Sequence, residues 1–164
     1  MTAAQRILVI GGIALALWGM AYGLWYALFT EHQALDGIGL SLTNAFTGAA
    51  QREQLQVQAA LAQYRDVKYV YDRQVDVHSH WISLALLLIL LGLALDYVSF
   101  SESFKRWLAW AALVGAIVFP LGVLLQTVNN GSGPRGLAIL GSVLLVAALA
   151  TFTLGFARKP RASA

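Results

Sequence analysis

Four long runs of apolar residues alternate with polar connections along this chain. The runs cover residues 7–29, 81–100, 107–128 and 136–157. A helix needs about 20 apolar residues to cross about 30 Å of hydrocarbon, and each run is close to that length. A segment inside lipid must satisfy its own backbone hydrogen bonds, so each run predicts a transmembrane α-helix.

The composition favours the same class of protein. Of the 164 residues, 59% are hydrophobic and only 12% are charged, which is too little charge to cover the surface of a soluble domain. The net charge of +3 is no sign of nucleic-acid binding, because the basic residues lie at the edges of the apolar runs. We therefore predict one all-α integral membrane domain over residues 1–164, a four-helix transmembrane bundle surrounded by the lipid bilayer.

Small residues inside the runs predict close contact between helices. Gly19 and Gly23 form a small-xxx-small pair in the first run, a spacing that lets two helix backbones approach each other. Pro120 lies inside the third run and predicts a kink there. The first run also has an alternative interpretation as a cleaved signal peptide, but it is longer than the usual core of about 7–15 residues.

The positions of Lys and Arg predict the orientation. Four spans place both termini and the second connection on one side of the membrane. That side carries Arg6, Lys105, Arg106, Arg158, Lys159 and Arg161. The short third connection carries only Arg135. The positive-inside rule then predicts a multi-pass protein of a bacterial-type inner membrane with both termini in the cytoplasm.

Residues 31–80 are the only sizeable part outside the predicted spans. Residues 49–91 contain neither glycine nor proline, and residues 51–75 are rich in good helix formers. This pattern predicts an extramembrane helix that can continue directly into the second span. The apolar piece over residues 40–46 is compatible with a short amphipathic helix in the membrane interface.

All three histidines of the chain fall near the predicted outer, periplasmic ends of the first two spans. They are His32, His78 and His80, and Glu31 and Asp76 lie close to them in sequence. Neutral imidazole is the commonest metal ligand, and carboxylates complete a site or orient the imidazoles. We therefore regard the three histidines as candidate cofactor ligands and all five residues as candidate metal ligands. A copper or zinc ion suits such a set, and haem b suits two histidines on facing helices.

Helix geometry limits this hypothesis. On a regular helix, His78 and His80 point about 200° apart, so both cannot bind one ion. Either the helix is broken there or only one of them faces His32. The alternative interpretation is that the histidines form hydrogen bonds with water, lipid headgroups and nearby acids.

The sequence shows no catalytic constellation. It contains no cysteine, which excludes thiolate chemistry, and it has no phosphate loop or nucleophile elbow. Asp96 is the only acid within an apolar run. Its position near Lys105 and Arg106 favours an ion pair or interface exposure over a proton relay.

The leading functional hypothesis is an inner-membrane redox or metal- and haem-binding accessory protein with a histidine site at the periplasmic interface. The alternative is a structural subunit or assembly factor of a larger membrane complex, without its own cofactor. In that case the glycine faces and the projecting helix contact other subunits or a second copy of the chain.

Overall fold

The computed structural model describes residues 1–129 and 131–158, and these ranges are helical without any strand. The helices are α1 (Ala3–Phe29), α2 (Glu31–Gln51), α3 (Gln54–Leu93), α4 (Glu102–Leu125) and α5 (Ser132–Ala157). A short 3-10 turn, Leu95–Tyr97, follows α3. Lys159 and Arg161, used above to predict the orientation, lie outside the described residues.

Four of these helices, α1, α3, α4 and α5, are long and apolar enough to cross a membrane. This confirms the predicted all-α class with four candidate spans and indicates a multi-pass membrane protein. Large apolar side chains such as Ile10, Leu86 and Val143 point outward from these helices, as expected where the surroundings are lipid.

The α1 helix packs antiparallel against the second half of α3. A Cβ atom at Gly12 would lie 2.9 Å from the backbone oxygen of Ala85, and one at Gly19 would lie 3.1 Å from Cβ of Trp81. Glycine is therefore required at position 12 for the backbones to come this close, and a side chain at position 19 would force its neighbours to shift by a few tenths of an ångström. The small-residue pattern of the first run marks the face that contacts α3, and the predicted close approach of helices occurs there.

The α4 and α5 helices form a second antiparallel pair, which packs through α4 onto α1 and α3. Gly122 lies directly against the backbone of Ala138, and Gly141 lies against the backbone of Phe119. Helix α4 runs without interruption through Pro120. The buried core lies between the two pairs and includes Leu8, Ala112 and Phe152.

The α2 helix and the first half of α3 form a helical hairpin beyond the α4–α5 pair. Gly37 lies against Val67, and Gly48 lies against Val57. Residues 40–46 are part of the continuous α2 and do not form a separate short helix. Helix α3 continues from this hairpin through residue 81, so the predicted external helix and second span are one element.

The predicted second span differs from the observed helix at its far end. Helix α3 ends at Leu93, and residues 98–101 are extended or bent, with the Ser99 amide donating to the Gly155 carbonyl at 3.0 Å. Asp96 is exposed and accepts a hydrogen bond from Gln5 at 3.0 Å. Its partner is therefore an amide of α1, while Lys105 pairs with Glu102.

Candidate functional site

His78 lies in the interface between α3 and α1. Its Nδ1 atom is 3.0 Å from the Gly19 carbonyl oxygen, and its ring fills the space that the missing side chain of Gly23 leaves open. A carbonyl only accepts, so this nitrogen carries the proton. His78 thus connects two closely packed helices, and the tight packing leaves little room around its ring.

The depth of His78 differs from the sequence prediction. Gly19 lies about 18 Å from the start and about 15 Å from the end of the apolar run 7–29, at 1.5 Å per residue. The imidazole lies between Gly19 and Gly23, about 9–15 Å inside the end of that run, whereas the sequence placed it just beyond a span. The close approaches of Gly12 to Ala85 and of Gly92 to Leu8 set this register, so α1 pairs with an earlier stretch of α3 than the predicted span.

His80 lies on a different side of α3 and faces α4. Its Nδ1 atom is 2.6 Å from the Asp76 carbonyl oxygen, one turn earlier in the same helix. Its ring meets the Phe119 ring edge to face, with centroids 4.8 Å apart. Because α3 is unbroken here, the two histidines contact different helices, as the 200° separation requires.

A row of polar side chains extends from His80 toward the hairpin. Arg73 lies 5.1 Å above the Tyr69 ring and 3.5 Å from the Asp76 carboxylate. The Tyr69 hydroxyl donates to Gln126 of α4 at 3.4 Å. We call Tyr69, Arg73, Asp76 and His80, together with Gln126, the α3–α4 polar row. Its 4-3-4 spacing on α3 marks one helix face.

Sequence reasoning included Asp76 and His80 of this row but missed Tyr69 and Arg73. Depth along the spans groups the histidines but ignores the helical periodicity of their neighbours over residues 69–80. That spacing was the available signal.

The face of α3 toward α1 carries a second, uncharged set of groups. The Tyr22 hydroxyl donates to Gln74 at 3.2 Å, and the Tyr26 and Tyr71 rings lie 6.4 Å apart. The Tyr26 hydroxyl is buried and has no hydrogen-bond partner among the described residues. Buried hydroxyls usually bind ordered water when no protein partner exists.

His32 and Glu31 lie in the first turn of α2, and His32 is exposed. Their neighbours Thr30 and Gln33 line a shallow surface cavity with Val70, which is about 12 Å along α3 from His78. The structure therefore does not bring His32 together with either of the other histidines.

Over residues 1–129 and 131–158, no three His, Cys, Asp or Glu side chains are grouped to hold a metal ion. Binding by the full predicted set of ligands stays a prediction. Asp76 contributes to the observed arrangement through its backbone carbonyl and its contact with Arg73.

Comparison of the chain with protein-family models, with curated proteins and with solved structures finds no match. Inference about function therefore depends on the chemistry of the polar groups themselves. The most distinctive groups are the imidazoles of His78 and His80. In each ring Nδ1 is hydrogen-bonded to a backbone carbonyl oxygen, so the Nε2 lone pair is available as a ligand.

Proposed function

We propose that this membrane protein binds haem or a metal ion through a histidine of its helical bundle and acts as a redox or metal-binding accessory protein. The supporting observation is His80, a half-buried imidazole in a helix that can cross a membrane. Ionisable side chains are costly inside a membrane and usually serve a function. The Asp76 carbonyl orients the ring in the way that accompanying groups orient metal-bound histidines.

The number of ligands favours haem b over copper or zinc. Haem iron is held by as little as one axial histidine from the protein, whereas zinc sites use three or four protein ligands. His80 offers one nitrogen, and His32 and His78 lie elsewhere. A zinc or copper site would need further ligands from a rearranged or second chain.

In this proposal the hairpin extends into the periplasm and the termini lie in the cytoplasm of a bacterial-type inner membrane. Helix α3 has 40 residues, which is about 60 Å of helix and about twice the thickness of the hydrocarbon. Its first half carries the charged residues, so the excess length belongs on the aqueous side. The basic residues at the opposite end support the orientation.

Absorbance spectroscopy and metal analysis of the detergent-purified protein test the cofactor. We expect wild type, supplied with hemin, to bind one haem, and His80→Ala to lose at least about tenfold in affinity. His78→Ala is the matched control from the same helix, and it should keep the spectrum while losing thermal stability. A wild-type protein that takes up neither haem nor a stoichiometric metal would rule out this function.

A second candidate function, a subunit or assembly factor of a membrane complex, is supported by apolar side chains near the end of the hairpin. The exposed fraction is 74% for Phe46 and 84% for Leu55. In the proposed topology these side chains lie in water, where exposed apolar groups mark contact surfaces.

Native electrophoresis of membranes in mild detergent tests this second candidate. We expect wild type to migrate in a complex and the Phe46→Ser, Leu55→Ser double variant to migrate as a monomer. Gln58→Ser, an exposed polar change on the same hairpin, should leave the complex intact. A wild-type protein that is monomeric under these conditions would argue against the candidate.

A further inference from the structure

Arg73 and His80 lie on the same face of α3, about two helical turns or 10 Å apart along the helix axis. His80 is level with Phe119, well inside α4. Arg73 lies toward the hairpin, next to Tyr69, which reaches Gln126 at the end of α4. A cation and an imidazole are thus aligned along the helix, with the cation closer to the end of the bundle.

The Arg73 guanidinium has more N–H donors than its contacts with protein acceptors use. Its contact with Asp76 is 3.5 Å long, and its buried Nε atom has no hydrogen-bond partner among the described residues. A guanidinium carries five N–H donors, and a buried donor without an acceptor is destabilising. The Tyr69 ring, 5.1 Å below, supports the cation from one face. The Arg73 side chain is 36% exposed, so the outer nitrogens of its guanidinium can bind an anionic group.

We propose that Arg73 anchors the carboxylates of a haem whose iron is held by His80. This inference rests on the proposed function and specifies its ligand as a porphyrin with free carboxylates. The two propionates leave one edge of the macrocycle, at a distance from the iron comparable to about two helical turns. Arginine binds carboxylates through paired, charge-assisted hydrogen bonds.

The surroundings suit the two parts of such a ligand. The apolar macrocycle would lie beside His80 and Phe119, level with the apolar part of α4. The carboxylates would lie toward the hairpin end of the bundle, where charge is least costly. On the α1 face of α3, His78 is accompanied by Tyr71 and Gln74, neither of which is a cation. Because Arg73 shares a helix face with His80 and not with His78, we assign His80 as the ligand of the haem iron.

Titration with hemin and with its iron-containing dimethyl ester tests the proposal. The ester keeps the iron and the macrocycle but lacks the free carboxylates. We expect wild type to prefer hemin by about tenfold, the usual cost of losing one charge-assisted contact. Arg73→Gln should remove this preference by weakening hemin alone, Arg73→Lys should restore part of it, and the exposed Arg65→Gln is the matched control.

A second variant tests for tighter binding of hemin, a result that misfolding cannot produce. Asp76→Asn removes a carboxylate that competes for Arg73 and repels the propionates, so hemin should bind about two- to threefold more tightly. Equal binding of hemin and ester by wild type, or no difference between Arg73→Gln and Arg65→Gln, would overturn the role of Arg73 alone. Absence of binding of both compounds to wild type would overturn haem binding altogether, and with it the haem form of the proposed function.

Discussion

Gly23 and Gly141 show how single residues set the distances between these helices. The ring of His78 occupies the space beside Gly23, and the backbone of Phe119 occupies the space beside Gly141. In each case the neighbour lies where a side chain would otherwise be. Because Phe119 also contacts His80, a glycine on α5 fixes the position of the helix that forms one wall of the candidate site.

Replacement of Gly141 tests this dependence on close packing. A Cβ atom there would lie 2.9 Å from the Val118 carbonyl carbon, and backbone cannot move aside like a flexible side chain. We expect Gly141→Ala to destabilise the protein by about 1–3 kcal/mol, measured as a lower thermal midpoint in detergent.

Gly136 provides the matched control on α5. A Cβ atom at this position has no neighbour within 4 Å among the described residues, so Gly136→Ala should be neutral or stabilising by up to about 1 kcal/mol. Equal thermal midpoints for the two variants would contradict the argument that α4 and α5 require glycine where they cross.

In the hairpin, the backbone conformation of a single residue ends helix α2. Arg52 follows α2 with a φ of 60°, in the left-handed region that favours glycine. Its amide still reaches the end of the helix, donating to the Ala49 carbonyl at 3.1 Å. A non-glycine residue is held here so that the chain can reverse within two residues and begin α3.

We expect Arg52→Gly to stabilise the hairpin by about 0.5–1 kcal/mol, because glycine adopts this conformation without steric strain. Arg65→Gly, an exposed change inside α3, should destabilise by a similar amount. Hydrogen exchange of the α2 amides measures both effects. Slower exchange in Arg65→Gly than in Arg52→Gly would show that the turn is not strained.

Across the whole molecule, one helix joins the bundle to the hairpin. The first half of α3 packs on α2 and its second half on α1 and α4. Because this helix is continuous, movement of the hairpin would tilt the face that carries Arg73 and His80.

Labelling of single cysteines tests the proposed topology, and the chain offers a background with no cysteine of its own. In intact spheroplasts, a membrane-impermeant maleimide should label Gln54→Cys and Ser132→Cys, whereas Ser103→Cys should react only after lysis. All three positions are exposed. Labelling of Gln54→Cys and Ser103→Cys from the same side would contradict the arrangement of the spans.

The sequence by itself determined which segments are membrane-compatible helices, because length and apolar composition are local properties that need no knowledge of neighbours. It also determined that His78 and His80 point in different directions, since helical periodicity alone sets that angle. The continuity of helix α3 with the predicted second span followed from the absence of glycine and proline over residues 49–91.

Only the tertiary structure decided the register between helices, and with it the candidate site. The close contacts at Gly12 and Gly19 set the pairing of α1 with α3 and place His78 inward from the predicted rim. Contacts between helices distant in sequence also separate His32 from the other histidines and turn the face that carries Tyr69 and His80 toward α4. Such contacts depend on how two complete surfaces fit together, which a one-dimensional pattern of apolar residues does not specify.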